Sequence, residues 1–221
     1  MNLIENPPVV VLLARQFNPS VLSQVWLAKN GILDADGTVR ANSIFAENFV
    51  QVITDEFVLA VLPEQLQFIP NVLPERQQKL IEDKLGTLVG KLPHVPYRSV
   101  GLNFNWHLAV NDEEVPSVTR NLFAGKQDGI FERFSDPNAR FGTYLSKDFG
   151  PFRMKVDIKP VSIELPGGEK VDRIQFGFNF HSDFLQDQEA AKEAARRFSE
   201  WDIVRNEAVQ TLTAAGLGQS S

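Results

Sequence analysis

The chain is predicted to be α+β, a largely antiparallel sheet with helices packed on one face, built from two similar β-α-β(meander)-α halves over 1–97 and 98–221 that form one compact unit. Three observations carry this. Strand-length apolar segments recur every eight residues between Ala41 and Pro70, a spacing that suits antiparallel hairpins. The order strand, helix, meander, helix is then repeated along the rest of the chain. Finally, one short strand is nearly written twice, as Gly101-Leu102-Asn103-Phe104-Asn105-Trp106-His107-Leu108 and as Gly177-Phe178-Asn179-Phe180-His181-Ser182-Asp183-Phe184.

In the first half, Pro8 leads into Val9, Val10, Val11, Leu12 and Leu13, the continuous apolar run of a central strand. Asn18 and Pro19 then supply an N-cap and a first-turn proline. Leu22, Val25 and Trp26 form a helical stripe before Gly31 stops it. The pairs Glu47-Asn48, Asp55-Glu56 and Pro63-Glu64 act as turns between the strands Phe49 to Thr54 and Phe57 to Leu62. Pro74 opens a second helix in which Ile81, Leu85, Leu88 and Leu92 share a face and Glu75 stands four before Lys79, until Pro93 and Pro96 end it.

The second half starts with a strand over 98–110 and a short helix over Val115 to Phe123, with Asp112 to Glu114 at its start and Gly125 at its close. Strands are predicted at Ile130 to Phe134, Arg140 to Ser146, Phe152 to Leu165 and Asp172 to Asp183, with turns at Asp136-Pro137-Asn138 and Gly167-Gly168. One closing helix is expected from Gln188 to Ala215, its apolar stripe running through Ala191, Ala194, Phe198, Trp201, Val204, Ala208 and Leu212 to Ala215. Gly216 to Ser221 reads as a frayed tail.

Composition narrows the chemistry. With no cysteine there is no disulfide, thiolate metal site or thiol nucleophile, and a reducing compartment suits the chain. A net charge of -6 at pH 7 weighs against a phosphate-binding surface, which disfavours nucleic acid as a partner. Arg133, Arg140, Lys147, Arg153, Lys155 and Lys159 are interleaved with acidic residues. The run Val9 to Ala14 is too short for a signal-peptide core, and no stretch approaches the roughly 20 apolar residues of a membrane span. A cytoplasmic protein without a membrane segment is the expectation. Phe accounts for 17 aromatic residues and Tyr for 2, a bias toward core burial over a recognition surface.

Strand alternation places Leu102, Phe104, Trp106 and Leu108 on one face and Asn103, Asn105 and His107 on the other; Phe178, Phe180 and Phe184 likewise oppose Asn179, His181 and Asp183. The six polar residues are the candidate ligand-binding row. Asn supplies donor and acceptor, and His181 beside Asp183 could hold one tautomer or complete a weak metal site. The competing reading is an ordinary solvated sheet face. Ser182 points away from His181, which defeats a Ser-His-Asp arrangement, and no G-x-S-x-G elbow occurs. His94 is a loop connector. Asp34 to Gly37 has the wrong register for a calcium loop, and Gly86 to Lys91 is one residue short of a phosphate loop and falls within a helix. No catalytic or metal residue and no cofactor is assigned. Arg196 and Arg197, with Glu193 and Glu200, are expected on a solvated, charge-paired face.

The element order is similar to the duplicated arrangement of TATA-binding-protein-like and helix-grip folds. Pro7-Pro8-Val9, the segment Phe49 to Phe57, the strand Gly101 to Leu108 and the region Phe176 to Leu212 resemble a sporadically distributed, uncharacterised family of bacterial proteins. That resemblance implies the fold and brings no catalytic residues. The functional expectation is a non-enzymatic interaction or assembly subunit of a bacterial intracellular system, with a protein partner or second copy on the C-terminal helix. The alternatives are a ligand-binding or enzymatic domain using the polar row and, below that, nucleic-acid binding through a saddle-like sheet.

Overall fold

A computed structural model describes residues 2–34, 39–110, 114–123, 132–185 and 189–217. Its strands are β1 (Asn2–Ala14), β2 (Ile44–Phe45), β3 (Val50–Ile53), β4 (Phe57–Val61), β5 (Gln65–Pro70), β6 (Tyr97–Ala109), β7 (Thr143–Phe149), β8 (Phe152–Glu164) and β9 (Lys170–Asp183). They make an antiparallel sheet in the order β2-β3-β4-β5-β1-β6-β9-β8-β7. The helices are α1 (Gln24–Lys29), α2 (Pro74–Leu80), α3 (Thr87–Lys91), α4 (Val115–Phe123), α5 (Ala190–Phe198) and α6 (Trp201–Ala214), with a π-helical turn, Ile81–Gly86, joining α2 to α3. The fold is therefore α+β. No helix among the described residues is long and apolar enough to cross a membrane.

Local chemistry explains where the elements depart from the sequence pattern. Pro19 opens only a short 3-10 turn, and the Asn18 side chain accepts from the Ser20 hydroxyl (2.7 Å) instead of capping a helix. The cap is Ser23, whose hydroxyl accepts from the Trp26 N–H (3.2 Å), so α1 starts later and its inward residue is Leu27, while Val25 is 63% exposed. The predicted stripe of Ile81, Leu85, Leu88 and Leu92 is buried. Lys79 pairs with Asp83 (2.9 Å). The expected strand over Ile130 to Phe134 is not formed in its described part: residues 132–134 are helical or turn. There the Arg120 guanidinium donates to the carbonyls of Phe134 (3.3 Å) and Asp136 (2.8 Å), taking acceptors a strand would need. Asp136 also closes the predicted turn by accepting from the Asn138 N–H (2.7 Å). The next strand begins at Thr143 because the Phe141 N–H is tied to the Thr119 hydroxyl (3.2 Å) of α4. The single closing helix is two, interrupted where the Ser199 hydroxyl donates back to the Arg196 carbonyl (2.8 Å). The calcium-like segment 35–37, Asp112 and Glu113, Gly125, residues 130 and 131, Gln188 and the end of the tail lie outside the described residues.

Two compact units cut across the sequence halves 1–97 and 98–221. One comprises Met1–Asn6, Phe104–Asn179 and Glu207–Ser221, the other Pro7–Asn103 and Phe180–Asn206. In the second, antiparallel register aligns Val52, Leu59, Phe68 and Val10 across four strands, and Val50, Val61, Leu66 and Leu12 beside them. All eight are at most 1% exposed, and Phe57 stacks on Phe68 at 5.0 Å. The π-helical turn packs on β5, and both it and α3 pack on α5. In the first unit the buried face is Phe104, Trp106, Ile174, Phe176 and Phe178, with Trp106 edge-on to Phe178 at 5.5 Å. Phe152, Met154, Val156 and Ile158 of β8 continue it.

The nearly repeated strands are β6 and β9. The strand order makes them neighbours, the first and last strands of the same sequence half. The Phe184 N–H donates to the Arg98 carbonyl (2.8 Å) where they meet. Their similar sequences reflect a shared environment, with one face in the core and the other at its margin.

Candidate functional site

Alternation along β6 and β9 works as the sequence requires. Leu102, Phe104, Trp106, Leu108, Phe178 and Phe180 are at most 2% exposed, while Asn103, Asn105, His107, Asn179 and His181 are half-buried and Asp183 is exposed. In the unit holding Asn103, His181 and Asp183, the Asn103 amide donates to the carbonyls of Val9 (3.1 Å) and Gly101 (3.2 Å), tying β6 to β1. His181 Nε2 lies 3.1 Å from Asp183 Oδ1, and the carboxylate there can fix the ring's tautomer. Among the described residues no cluster of three potential metal ligands forms. Ser182 faces inward, 3% exposed, and accepts from Arg197 Nε (3.0 Å). Arg197 is thereby drawn out of the solvated face expected for it and pairs with Glu200 at 3.6 Å.

In the other unit, Asn105 Oδ1 is buried with no hydrogen-bond partner, and so is Arg173 Nε. Burial, and behind it the positive charge of Arg173, holds the His107 imidazole below its ordinary value. His107 is thus kept as a neutral ring that can donate from one nitrogen and accept at the other. The proximity of Arg173 to His107 is a cross-strand relation that strand alternation alone does not reveal.

The basic residues weighed for nucleic acid are largely neutralised. Arg140 pairs with Asp172, Lys147 with Glu207 (2.5 Å), Arg153 with Asp148 (2.9 Å) and Lys159 with Asp157 (2.5 Å). Such pairs contribute little stability at a surface, yet they remove the free cations a phosphate backbone would need.

Two surfaces escape the sequence reading. The first is the outer face of β2, β3, β4, β5 and β1, where Ile44, Gln51, Ala60, Gln67 and Val11 form one cross-strand row and Ile53, Val58 and Ile69 the next. Leu13, opposite Gln65, is 38% exposed and Leu62 is 40% exposed. None of these side chains carries a charge. The second is a cavity of about 460 Å³ bounded by α4, the β7–β8 hairpin, β9 and the end of α6. Its walls include Phe123, Leu145, Ile158, Phe178 and Ala215, with Thr143 and Thr211 as the hydroxyl-bearing residues. A neighbouring cavity of about 270 Å³ shares Leu145 and Thr211 and reaches Lys147. None of the six candidate residues lines either cavity. The signal for the first surface is legible in retrospect, since the outward positions of Phe49 to Ile69 hold Gln and aliphatics where Lys, Glu or Thr would be ordinary.

Fold and surfaces together define a cysteine-free α+β sheet protein with an uncharged sheet face and an apolar cavity. No protein-family model, curated protein or solved structure matches the chain.

Proposed function

We propose that the protein is a non-enzymatic interaction or assembly subunit of an intracellular system, and that its docking surface is the outer face of β2, β3, β4, β5 and β1, covered by a second copy of the chain. The supporting observation is the row Ile44, Gln51, Ala60, Gln67 and Val11, flanked by Ile53, Val58, Ile69, Leu13 and Leu62, without a single charge. A solvated antiparallel face ordinarily alternates to polar and charged residues, and a contiguous apolar patch marks an interaction site. A chain with net charge -6 repels its own copy, and an uncharged face is where that repulsion is least. Two such faces can pack as a sheet-on-sheet layer, with Gln51, Gln65 and Gln67 offering both donors and acceptors across it. The closing helices are a poorer partner surface than their stripe suggests, because Ala194, Phe198, Trp201, Val204, Ala208 and Leu212 are at most 3% exposed within the chain itself.

The duplicated-unit reading belongs to the same proposal. In strand order β1 lies beside β5 and β6 beside β9, so each sequence half places its first strand next to the last strand of its meander. Sedimentation tests the docking surface: the 24.8 kDa chain should self-associate at micromolar concentration, and Leu62→Glu should return it to a monomer. A wild-type chain that is monomeric at about 100 µM, above any specific micromolar association, overturns the reading.

A further inference from the structure

We infer that the cavity bounded by α4, β7, β8, β9 and the end of α6 is a binding site for a small, uncharged, predominantly apolar molecule. Three features of the site carry this. Its volume of about 460 Å³ is that of a small-molecule pocket. Among the described residues none of its lining is ionisable, and Thr211 already donates its hydroxyl to the Glu207 carbonyl (2.9 Å), which leaves the Thr143 hydroxyl as the donor that orients a polar atom of a ligand. The aromatic floor, Phe176 and Phe178, is at most 2% exposed, so it is set by the core and present before any ligand arrives.

The chemistry of the rim excludes a charged ligand. An ion placed against these walls loses its hydration with no partner to replace it. The cation near the adjoining cavity, Lys147, is held 2.5 Å from Glu207, whose side chain is 18% exposed, so an anionic headgroup would meet a neutralised pair and a competing negative charge. Water is a poor occupant as well, because each molecule needs two or more polar partners and most of the lining is aliphatic or aromatic. What remains is a compact alkyl or aromatic molecule that fills the space along Leu145 and Ile158 above the buried Phe176 and Phe178. Leu145 itself, on β7, is 52% exposed, and a ligand there would cover a large apolar side chain that its own fold leaves open.

The test uses the full chain and the neutral apolar fluorophore N-phenyl-1-naphthylamine. The wild-type protein should bind it saturably with one site per chain and a rise in emission. Ala215→Phe, which fills the cavity, and Leu145→Asp, which places a charge on its wall, should each weaken binding at least tenfold. Leu62→Glu, in the other compact unit, should bind as the wild type does. Hydrogen exchange provides a readout that does not depend on the variants: saturating fluorophore should protect the amides of 143–158 and 207–215. Absence of saturable binding by the wild type, unchanged binding in both cavity variants, or protection confined to 50–69 would each overturn the site. The last outcome would move the probe to the sheet face and leave the self-association reading standing.

Discussion

Tyr97 isolates the cost of one polar atom. Its side chain is 1% exposed, its ring meets Phe17 edge-on at 5.8 Å, and its hydroxyl is buried without a hydrogen-bond partner. Burial accordingly raises its pKa, since the phenolate would be still less welcome there. A buried, unsatisfied hydroxyl costs about 1–3 kcal/mol, so Tyr97→Phe should leave stability unchanged or raise it by about 1 kcal/mol in urea titration. A loss of that size would mean that the hydroxyl has an acceptor after all. His107 is perturbed in the opposite sense. Its folded value lies below the unfolded one, so the unfolded chain takes up the proton first as pH falls. The stability associated with neutral His107 is complete above about pH 6.5 and is lost as pH drops through the folded value. His107→Gln should therefore lose less stability than the wild type between about pH 7.5 and pH 5, read as the difference between two urea midpoints against pH. Equal pH profiles would show that the ring titrates alike in both states.

At the scale of elements, two glycines that approach the backbone of β8, Gly142 just before β7 and Gly177 in β9, make a controlled pair. A Cβ on Gly142 would lie 2.5 Å from the Ile158 carbonyl oxygen and 3.3 Å from Lys159 Cα, both backbone atoms that cannot yield without moving β8. A Cβ on Gly177 would meet the Gln175 side-chain amide at 3.3 Å and the Asp157 carbonyl oxygen at 3.5 Å, and the amide can rotate away. Gly142→Ala should then cost about 2 kcal/mol or more, and Gly177→Ala less than about 1 kcal/mol, in thermal or urea unfolding. Neither close approach is written in the sequence, whereas most elements were. The meander was legible because its turns recur at fixed spacing, and the aromatic rows of β6 and β9 because a one-residue slip would expose every Phe. The helix starts were less so, since Asn18 and Ser23 are both acceptable caps and only tertiary packing of Leu27 chooses between them. The false strand near Phe134 failed for the same kind of reason, a guanidinium from α4 claiming its carbonyls. For the polar row, the face of each residue could be read, but not that Asn103 spends its amide on Val9 or that Arg173 bears on His107. The cavity was invisible because its walls come from five elements spread over the chain from Leu122 to Ala215.

For the whole molecule the relevant quantity is charge. At pH 7 the chain carries -6, and its isoelectric point is about 5.2, so two copies approach against a mutual repulsion that ions in solution can screen. The proposed contact face contributes no charge to that field and contains no ion pair to be weakened by salt. Self-association should therefore strengthen between about 0.05 and 0.5 M sodium chloride, as screening shortens the Debye length from above 10 Å to below it, and should strengthen again as pH falls from 7 toward the isoelectric point. A contact built on the surface ion pairs, such as Arg153 with Asp148 or Lys159 with Asp157, would show the reverse salt dependence, because its attraction is what salt removes. Sedimentation at the two salt concentrations distinguishes them in one experiment. Association that weakens with salt would place the interface on the charged hairpin of β7 and β8 and away from Leu13, Val58 and Leu62, and with it would fall the claim that the uncharged face is what this fold presents to its partner.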